Sequence, residues 1–413
     1  MIDQAVAERP GRVGVLRRNA GFRQLWAAQT ISVLGDSVTV VALPSVAILS
    51  LHAGSLTVGF LNAAGWSAWG LLSLVAGVWV DRLPRKPLLI GADLIRLVLI
   101  GSVPAAWALG ILTVAQLLVV AAVASACAVV FGLAYTAYVP YVVEQDDLSE
   151  ANARLELSNS AAFLSGPALA GALISVANAP LALVADAVSF AASASLLSRG
   201  RAAPREAQTR KPFWGELKDG VRVLRHQPVL IRTTLAGGVA NFGFAVVQAV
   251  FFVYAYRSLH LSAALVGVAL TIGAAGNFTG ALLTMRITAR LGVALAICIS
   301  TAFAELSTLL FPLASFAAPV FFLALGGVLR GLLTPWWNVN VVTLRQQLIA
   351  PELQARVTAA SRTFVMGTLS LGSLTGGILG ATIGYPETII VGALVGGASG
   401  LFVLPQRVRS RAV

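Results

Sequence analysis

Apolar runs of about 20 residues recur along the whole length of this chain. A helix rising ~1.5 Å per residue needs a run of that length to cross the ~30 Å hydrocarbon core of a bilayer. The runs are continuous and rich in Leu and Ala, whereas a membrane barrel alternates apolar and polar residues over ~10-residue strands. The chain is therefore read as an all-α, multi-pass membrane protein. Composition agrees: 57% of the 413 residues are hydrophobic and 11% are charged, against about a quarter charged in soluble domains.

Twelve runs can be placed. They lie near Phe22–Leu49, Thr57–Val80, Pro87–Leu109, Thr113–Val139, Leu155–Val176 and Pro180–Leu197, then Val229–Tyr256, Ala263–Met285, Leu291–Phe311, Ala317–Val342, Val357–Ile383 and Thr388–Leu404. They are numbered here as spans 1 to 12. One long polar interruption divides them into six and six. The expected organisation is a basic tail (1–19), a six-helix bundle (20–198), a linker (199–227), a second six-helix bundle (228–405) and a basic tail (406–413). An internal repeat at an offset near 204 supports the division: Arg82 corresponds to Arg286, and Gly77 falls close to Gly280. Two halves related by a pseudo-two-fold axis, with a site between them at mid-membrane, is a common transporter plan.

Charge is confined to alternate loops. It occupies Asp81–Lys86, Glu144–Glu156, the central linker, Arg286–Arg290, Arg345–Arg356 and the tail with Arg407, Arg409 and Arg411. The other loops hold His52, Arg257, His260 and Glu387 and little else. An excess of Lys and Arg marks the cytoplasmic side, so both termini are expected in the cytoplasm, in a bacterial inner (plasma) membrane. The same placement accounts for the net charge of +12 without nucleic acid as a partner. Cys127 and Cys298 lie inside apolar runs and read as small buried residues, neither a disulfide nor a metal site. No cofactor is expected.

Ionisable groups inside a bilayer are costly and mark function by default. Asp36 in span 1 and Arg330 in span 10 both fall near mid-depth. They are candidates for proton coupling or gating, and whether they pair with one another stays open. Asp93 and Arg96 share one face of span 3, three residues apart, and read as a charge clamp with Asp81, Arg82 and Arg85 just below. Glu305 in span 9 is either a titrating carboxylate or a helix-paired one. Asp186 in span 6 reads as structural. Asn241, Gln248, Asn277, Trp336, Trp337 and Asn338 in spans 7, 8 and 10 suit the lining of a substrate cavity; the alternative places at least one of the two tryptophans in an interfacial aromatic belt.

Three motifs carry a resemblance. The stretch Gly77 to Lys86, G-V-W-V-D-R-L-P-R-K, pins Asp81, Arg82, Arg85 and Lys86 at a membrane boundary between spans 2 and 3. It resembles the loop 2–3 signature of the major facilitator superfamily. Gly166-Pro167-x-x-x-Gly171 in span 5 resembles the antiporter motif of drug–proton exporters in that superfamily. With Asn19-Ala-Gly-Phe-Arg-Gln-Leu-Trp, Leu34-Gly-Asp36 and Leu148-Ser-Glu-Ala-Asn152, the chain resembles the drug–proton antiporter-3 branch, which includes macrolide-efflux and enterobactin-exporter relatives.

The resemblance implies twelve spans in the major facilitator fold, alternating access driven by protons, a small-molecule substrate and a monomer. It implies that Asp81 docks near the start of span 11, at Arg356 to Ala360, in the outward-facing state. The family's span 4 arginine is absent: Ala115 to Tyr138 holds no basic residue, so coupling would fall to Asp36 or another acid. Export of a small, mostly apolar compound is the leading reading. A proton-coupled uptake symporter and a non-transporting membrane scaffold are the alternatives. No G-x-x-x-x-G-K-[ST] loop and no H-E-x-x-H spacing occurs, so neither an ATP-driven pump nor an enzyme is supported.

Overall fold

The computed structural model describes residues 14–72, 80, 83–199, 221–349 and 351–403. Asp81, Arg82, Gly77, most of the 199–227 linker and the 406–413 tail lie outside the described residues. Eleven helices among the described residues are long and apolar enough to cross a bilayer. They are span 1 (Ala20–Ser50), span 3 (Arg85–Ala108), span 4 (Val114–Val142), span 5 (Gln145–Val176), span 6 (Ala179–Arg199), span 7 (Pro228–Ser258), span 8 (Ala263–Leu291), span 9 (Val293–Leu313), span 10 (Pro319–Leu348), span 11 (Arg356–Thr382) and span 12 (Tyr385–Phe402). Span 2 is described as the helix Ser55–Ser67, continued by a wider turn, Ala68–Leu72.

The packing repeats itself. In the first half span 1 packs on spans 5 and 6, span 3 on spans 4 and 6, and span 2 on span 4. In the second half span 7 packs on spans 11 and 12, span 9 on spans 10 and 12, and span 8 on span 10. Adding six to each label of the first set gives the second. Between the halves span 2 packs on span 11 and span 5 on span 8, and these two contacts exchange under the same operation. This is the pseudo-two-fold architecture expected from the chain's division.

The repeat is plainest at the ends of spans 1 and 7. Each finishes in a π-helical turn, Val46–Ser50 and Tyr254–Ser258. Each turn is followed by Leu-His, with the histidine in the left-handed region: φ is 53° at His52 and 52° at His260. The closing hydrogen bonds also match. Leu51 and Ala53 donate to Val46 and Ala47 (3.2 and 2.8 Å), and Leu259 and Leu261 donate to Tyr254 and Ala255 (3.0 and 3.0 Å). The shared Ser-Leu-His of residues 50–52 and 258–260 is a more local trace of duplication than the loop match.

Small residues let the halves meet. A Cβ on Gly59 of span 2 would lie 2.6 Å from the Ser373 carbonyl and 2.8 Å from the Gly377 Cα of span 11. A Cβ on Gly171 of span 5 would lie 2.6 Å from the Ala263 carbonyl of span 8. Backbones this close gain dispersion contacts that larger side chains would prevent. Hydrogen bonds join the halves at the same end: Ser45 with Tyr256 (2.8 Å), Ser55 to the Gly377 carbonyl (3.2 Å) and Arg257 to the Ala53 carbonyl (3.0 Å). This is the end that carries the bare loops. The two halves are closed there over one continuous apolar core.

The N-terminal edge is pinned at the charged-loop end. The N–H of Val15 donates to both carboxylate oxygens of Glu150 (3.3 and 3.2 Å), and Arg18 pairs with Asp147 at 2.9 Å. Asn19 caps span 1 by accepting from the Phe22 N–H at 2.9 Å. Arg85 lies 4.4 Å over the Tyr141 ring of span 4, and Lys86 donates to the Ser198 carbonyl of span 6 at 3.1 Å. The basic residues after loop 2–3 thus clamp the start of span 3 to its neighbours.

Candidate functional site

A cavity of about 430 Å³ lies among spans 1, 2, 3, 4, 6 and 7. Its charged wall holds Asp36, Arg96 and Asp186, and Trp66, Trp69, Phe190 and Phe252 add aromatic rings to the lining. The charged wall is built around Arg96, whose guanidinium pairs with Asp36 and lies 4.0 Å over the Phe190 ring. Only 5% of the Arg96 side chain is exposed, against 39% for Asp36. The arginine is held inside the bundle and the aspartate faces the cavity.

Two further carboxylates stand behind this pair. Asp93 Oδ2 accepts from Ser193 at 2.6 Å, while its Oδ1 and the Arg96 Nε have no partner. Asp186 lines the cavity, accepts from the Thr39 hydroxyl and accepts from Ser189 at 3.1 Å. Gly35 makes the arrangement possible. A Cβ there would lie 2.8 Å from the Ser189 Cβ, so span 1 could not approach span 6 closely enough for Asp36 and Asp186 to share one wall.

Asp186, read from the sequence as structural, lines the cavity, as does Thr39, which drew no reading there. Asp186 looked structural because a lone acid on an apolar helix is silent about its neighbours. The usable signal was the spacing of Asp186, Ser189 and Ser193, three and four residues apart, which puts a polar stripe on one face of span 6.

The span 5 motif links this wall to the interface between the halves. A Cβ on Gly166 would meet the backbone of Ser37 at 3.3 Å, one residue beyond Asp36, and Gly171 meets span 8 at the closed end. Pro167 lies between them, inside the helix. One helix therefore touches both the acidic site and the opposite half.

The second half holds its own buried pair. Arg330 Nη2 donates to Glu305 Oε1 at 3.1 Å and its guanidinium lies 3.9 Å over the Phe244 ring. Glu305 Oε2 and Arg330 Nε have no partner. The pairing left open between Asp36 and Arg330 is not formed: each is satisfied within its own half, Asp36 by span 3 and Arg330 by span 9.

The residues expected to line a substrate cavity disperse. Gln248 lines the cavity described above, and its carbonyl accepts from Asn62 at 3.4 Å. Asn241 and Asn277 are half-buried and Asn338 is exposed. Trp336 is half-buried, its indole N–H without a partner, and a Cβ on Gly237 would meet the Trp337 ring at 3.3 Å. Sequence reasoning weighted the second half, whereas this cavity is built mostly from the first. Its aromatic wall, Trp66 and Trp69, lies in span 2, where no charged residue draws attention.

Eleven described spanning helices and the shorter described helix of span 2, in two pseudo-symmetric halves closed at one end around a charged and aromatic cavity, have the architecture of a membrane transporter. Comparison with known proteins gives the family. The Major Facilitator Superfamily model matches residues 25–364, and the chain belongs to that family of secondary transporters. It is 24% identical to macrolide efflux protein A of Streptococcus pyogenes over 381 residues, 88% of this chain and 90% of that protein. It is 24% identical to the uncharacterized MFS-type transporter YfiS of Bacillus subtilis over 403 residues, 91% of each chain. Among solved structures it resembles the nucleoside transporter NupG, with a TM-score of 0.71 at 15% identity over 92% of this chain and 97% of that one. It also resembles a bacterial homologue of the iron transporter ferroportin in its inward-facing state, with a TM-score of 0.73 at 18% identity over 95% and 98% of the two chains. These structures share the fold. The chain is a multi-pass membrane protein, and its family implies a small-molecule substrate.

Proposed function

We propose that this transporter exports a small, mostly apolar compound in exchange for protons, by alternating access. The observation that carries the reading is Asp36: a carboxylate near mid-membrane, paired with a buried arginine and open to the cavity. Such a group can be neutralised by a proton or engaged by a substrate, and alternation between the two is what an antiporter requires. The distant relation to a macrolide efflux protein and the Gly166-Pro167-x-x-x-Gly171 motif favour export over uptake.

Arg96 stands where coupling needs a cation. The family's span 4 arginine is missing, and the guanidinium beside the span 1 acid comes from span 3 instead. Protonation of Asp36 would free Arg96 to turn toward Asp93 or Asp186, so the proton and the arrangement of spans 1, 3 and 6 are linked. Glu305 and Arg330 occupy a comparable depth in the second half and are assigned to gating. The 199–227 segment joins the two six-helix units as a linker, and the transporter acts as a monomer.

With the charged loops and both termini in the cytoplasm, the closed end faces outward and the conformation is inward-facing. Docking of Asp81 at the start of span 11 is assigned to the state in which the cytoplasmic end closes. A carboxylate at a helix N-terminus is favoured by ~0.3–1 kcal/mol, enough to bias two states of similar energy. The test is export from cells: accumulation of labelled hydrophobic compounds should fall on expression and recover with a protonophore. Higher accumulation on expression would point to uptake and sink this reading.

A further inference from the structure

Span 2 and its counterpart, span 8, are not held alike. The Ser-Leu-His match of residues 50–52 and 258–260 aligns Gly59 of span 2 with Gly267 of span 8, Gly65 with Gly273 and Gly70 with Phe278. The first pair behaves symmetrically. A Cβ on Gly59 would lie 2.8 Å from the Gly377 Cα of span 11, and one on Gly267 would lie 3.2 Å from the Gly171 Cα of span 5. Both are contacts with the opposite half.

Further in, the symmetry breaks. Span 8 packs on its own half: a Cβ on Gly273 would lie 3.3 Å from the Gly327 Cα of span 10, and one on Gly276 would lie 2.8 Å from the Val328 Cα. Gly65 instead has nothing within 4 Å of its Cβ position and lines the cavity. Gly70 returns to the opposite half, its Cβ position 3.5 Å from the Gly367 Cα of span 11, whereas Phe278 is exposed. The second half therefore holds span 2 from end to end of its described residues. Arg257 donates to the Ala53 carbonyl just before it, Ser55 donates to the Gly377 carbonyl, Asn62 donates to the Gln248 carbonyl, and Arg362 lies 5.4 Å over the Trp69 ring.

Its own half holds span 2 by less. Span 4 meets it through the Ser125 hydroxyl, which donates to the Gly65 carbonyl, and through Val129 and Gly132 against Ala68 and Trp69. Beside these contacts the two helices are parted by the cavity, with Asn62, Gly65 and Trp66 on one side and Ala121, Ala124 and Ala128 on the other. Helices in a bilayer associate by close packing, because lipid is as apolar as they are, and atoms that face a void forfeit dispersion contacts. The seam between spans 2 and 4 is thus weaker than the seam between spans 2 and 11. Gly54, where span 2 leaves the loop from span 1, has open space around its Cβ position, which suits a hinge.

We propose that span 2 travels with the second half during alternating access. For movement the protein divides into five helices and seven, and the seam that opens and shuts beside the cavity is the one between spans 2 and 4. This rests on the alternating-access reading above and adds to it a division that the sequence repeat does not carry.

The test measures distances between spin labels by electron–electron double resonance, on the full-length protein in lipid vesicles with Cys127 and Cys298 replaced by alanine. Labels are placed in pairs at Phe60→Cys on span 2, Leu181→Cys on span 6 and Phe321→Cys on span 10. All three native side chains are exposed and none lines the cavity. The pair on spans 6 and 10 is the reference for movement between the halves, followed on acidification and in Arg257→Ala. Where the reference shifts, the distance from span 2 to span 6 should shift with it and the distance from span 2 to span 10 should stay fixed. A second set with Leu56→Cys in place of Phe60→Cys keeps the reading free of one label's local effect.

A distance from span 2 to span 10 that follows the reference, while span 2 to span 6 stays fixed, overturns the proposal and leaves alternating access between six-helix halves intact. A reference pair that keeps one distance in every condition contradicts alternating access itself, and the proposal falls with it.

Discussion

Asp36 is paired with an arginine that is held away from water. The Arg96 side chain is 5% exposed, lies over the Phe190 ring and pairs with Asp36. Asp36→Asn should leave the fold standing, since the amide oxygen can still accept from Arg96 and the guanidinium keeps its stack on Phe190. Proton-linked transport should disappear while the thermal unfolding midpoint stays near wild type; a variant that transports with an unchanged pH profile would contradict the role. Gly35→Ala is the opposite case. The added methyl falls 2.8 Å from the Ser189 Cβ, and overpacking of this kind costs about 1–3 kcal/mol, seen as a lower unfolding midpoint. At this scale the sequence revealed which residues were expensive to bury but not which of them meet. Asp36, Asp93, Arg96, Glu305 and Arg330 stand out by being charged among apolar neighbours. That Asp36 chooses Arg96, and Arg330 chooses Glu305, depends on helix rotation and on glycines such as Gly35 and Gly396, which packs on the Glu305 side chain.

Among elements, span 2 and span 5 make contacts between the halves, with spans 11 and 8. Gly59 and Gly171 lie in the two symmetry-related contacts at the closed end, each against a backbone of the opposite half. Gly171→Leu and Gly59→Leu should both prevent that end from closing and reduce transport. Gly91→Ala, with nothing within 4 Å of its Cβ position, should not. A cysteine placed at Asn62, just inside the closed end, reports this directly: it should react faster with an external membrane-impermeant maleimide in both leucine variants. An unchanged rate would mean that these glycines serve packing alone. The spans were legible from their apolar runs, and most ends agree within a few residues. Spans 8 and 10 run six residues further than expected, to Leu291 and Leu348, and span 5 departs most, beginning near Gln145 instead of Leu155. Its first turns are polar and hydropathy ignores them, yet Arg154 and Glu150, four residues apart and paired at 3.0 Å, sustain the helix there. The π-helical turns ending spans 1 and 7 left only Ser-Leu-His as their trace.

For the whole molecule, the paired architecture follows from six and six spans with charge on alternate loops, and both features lie on the surface of the sequence. Which end is closed does not, because it depends on contacts between distant residues, such as Ser45 with Tyr256 and Arg257 with the Ala53 carbonyl. The account predicts that Arg257→Ala, by removing the bond to the Ala53 carbonyl (3.0 Å), shifts the population toward the outward-open state. Because that bond ties the halves only at the bare-loop end, the shift should appear as greater external labelling of the same Asn62 cysteine, without loss of folded protein.

The central claim is that an outward flux of substrate is exchanged for protons at the Asp36 site. It is tested most directly by accumulation of a panel of labelled hydrophobic compounds, cationic and neutral, in cells expressing the wild type or Asp36→Asn, each with and without a protonophore. The account predicts lower accumulation in wild-type cells for at least one compound, abolished by the protonophore and absent in the variant. Export that persists in Asp36→Asn, or that the protonophore leaves untouched, would contradict it.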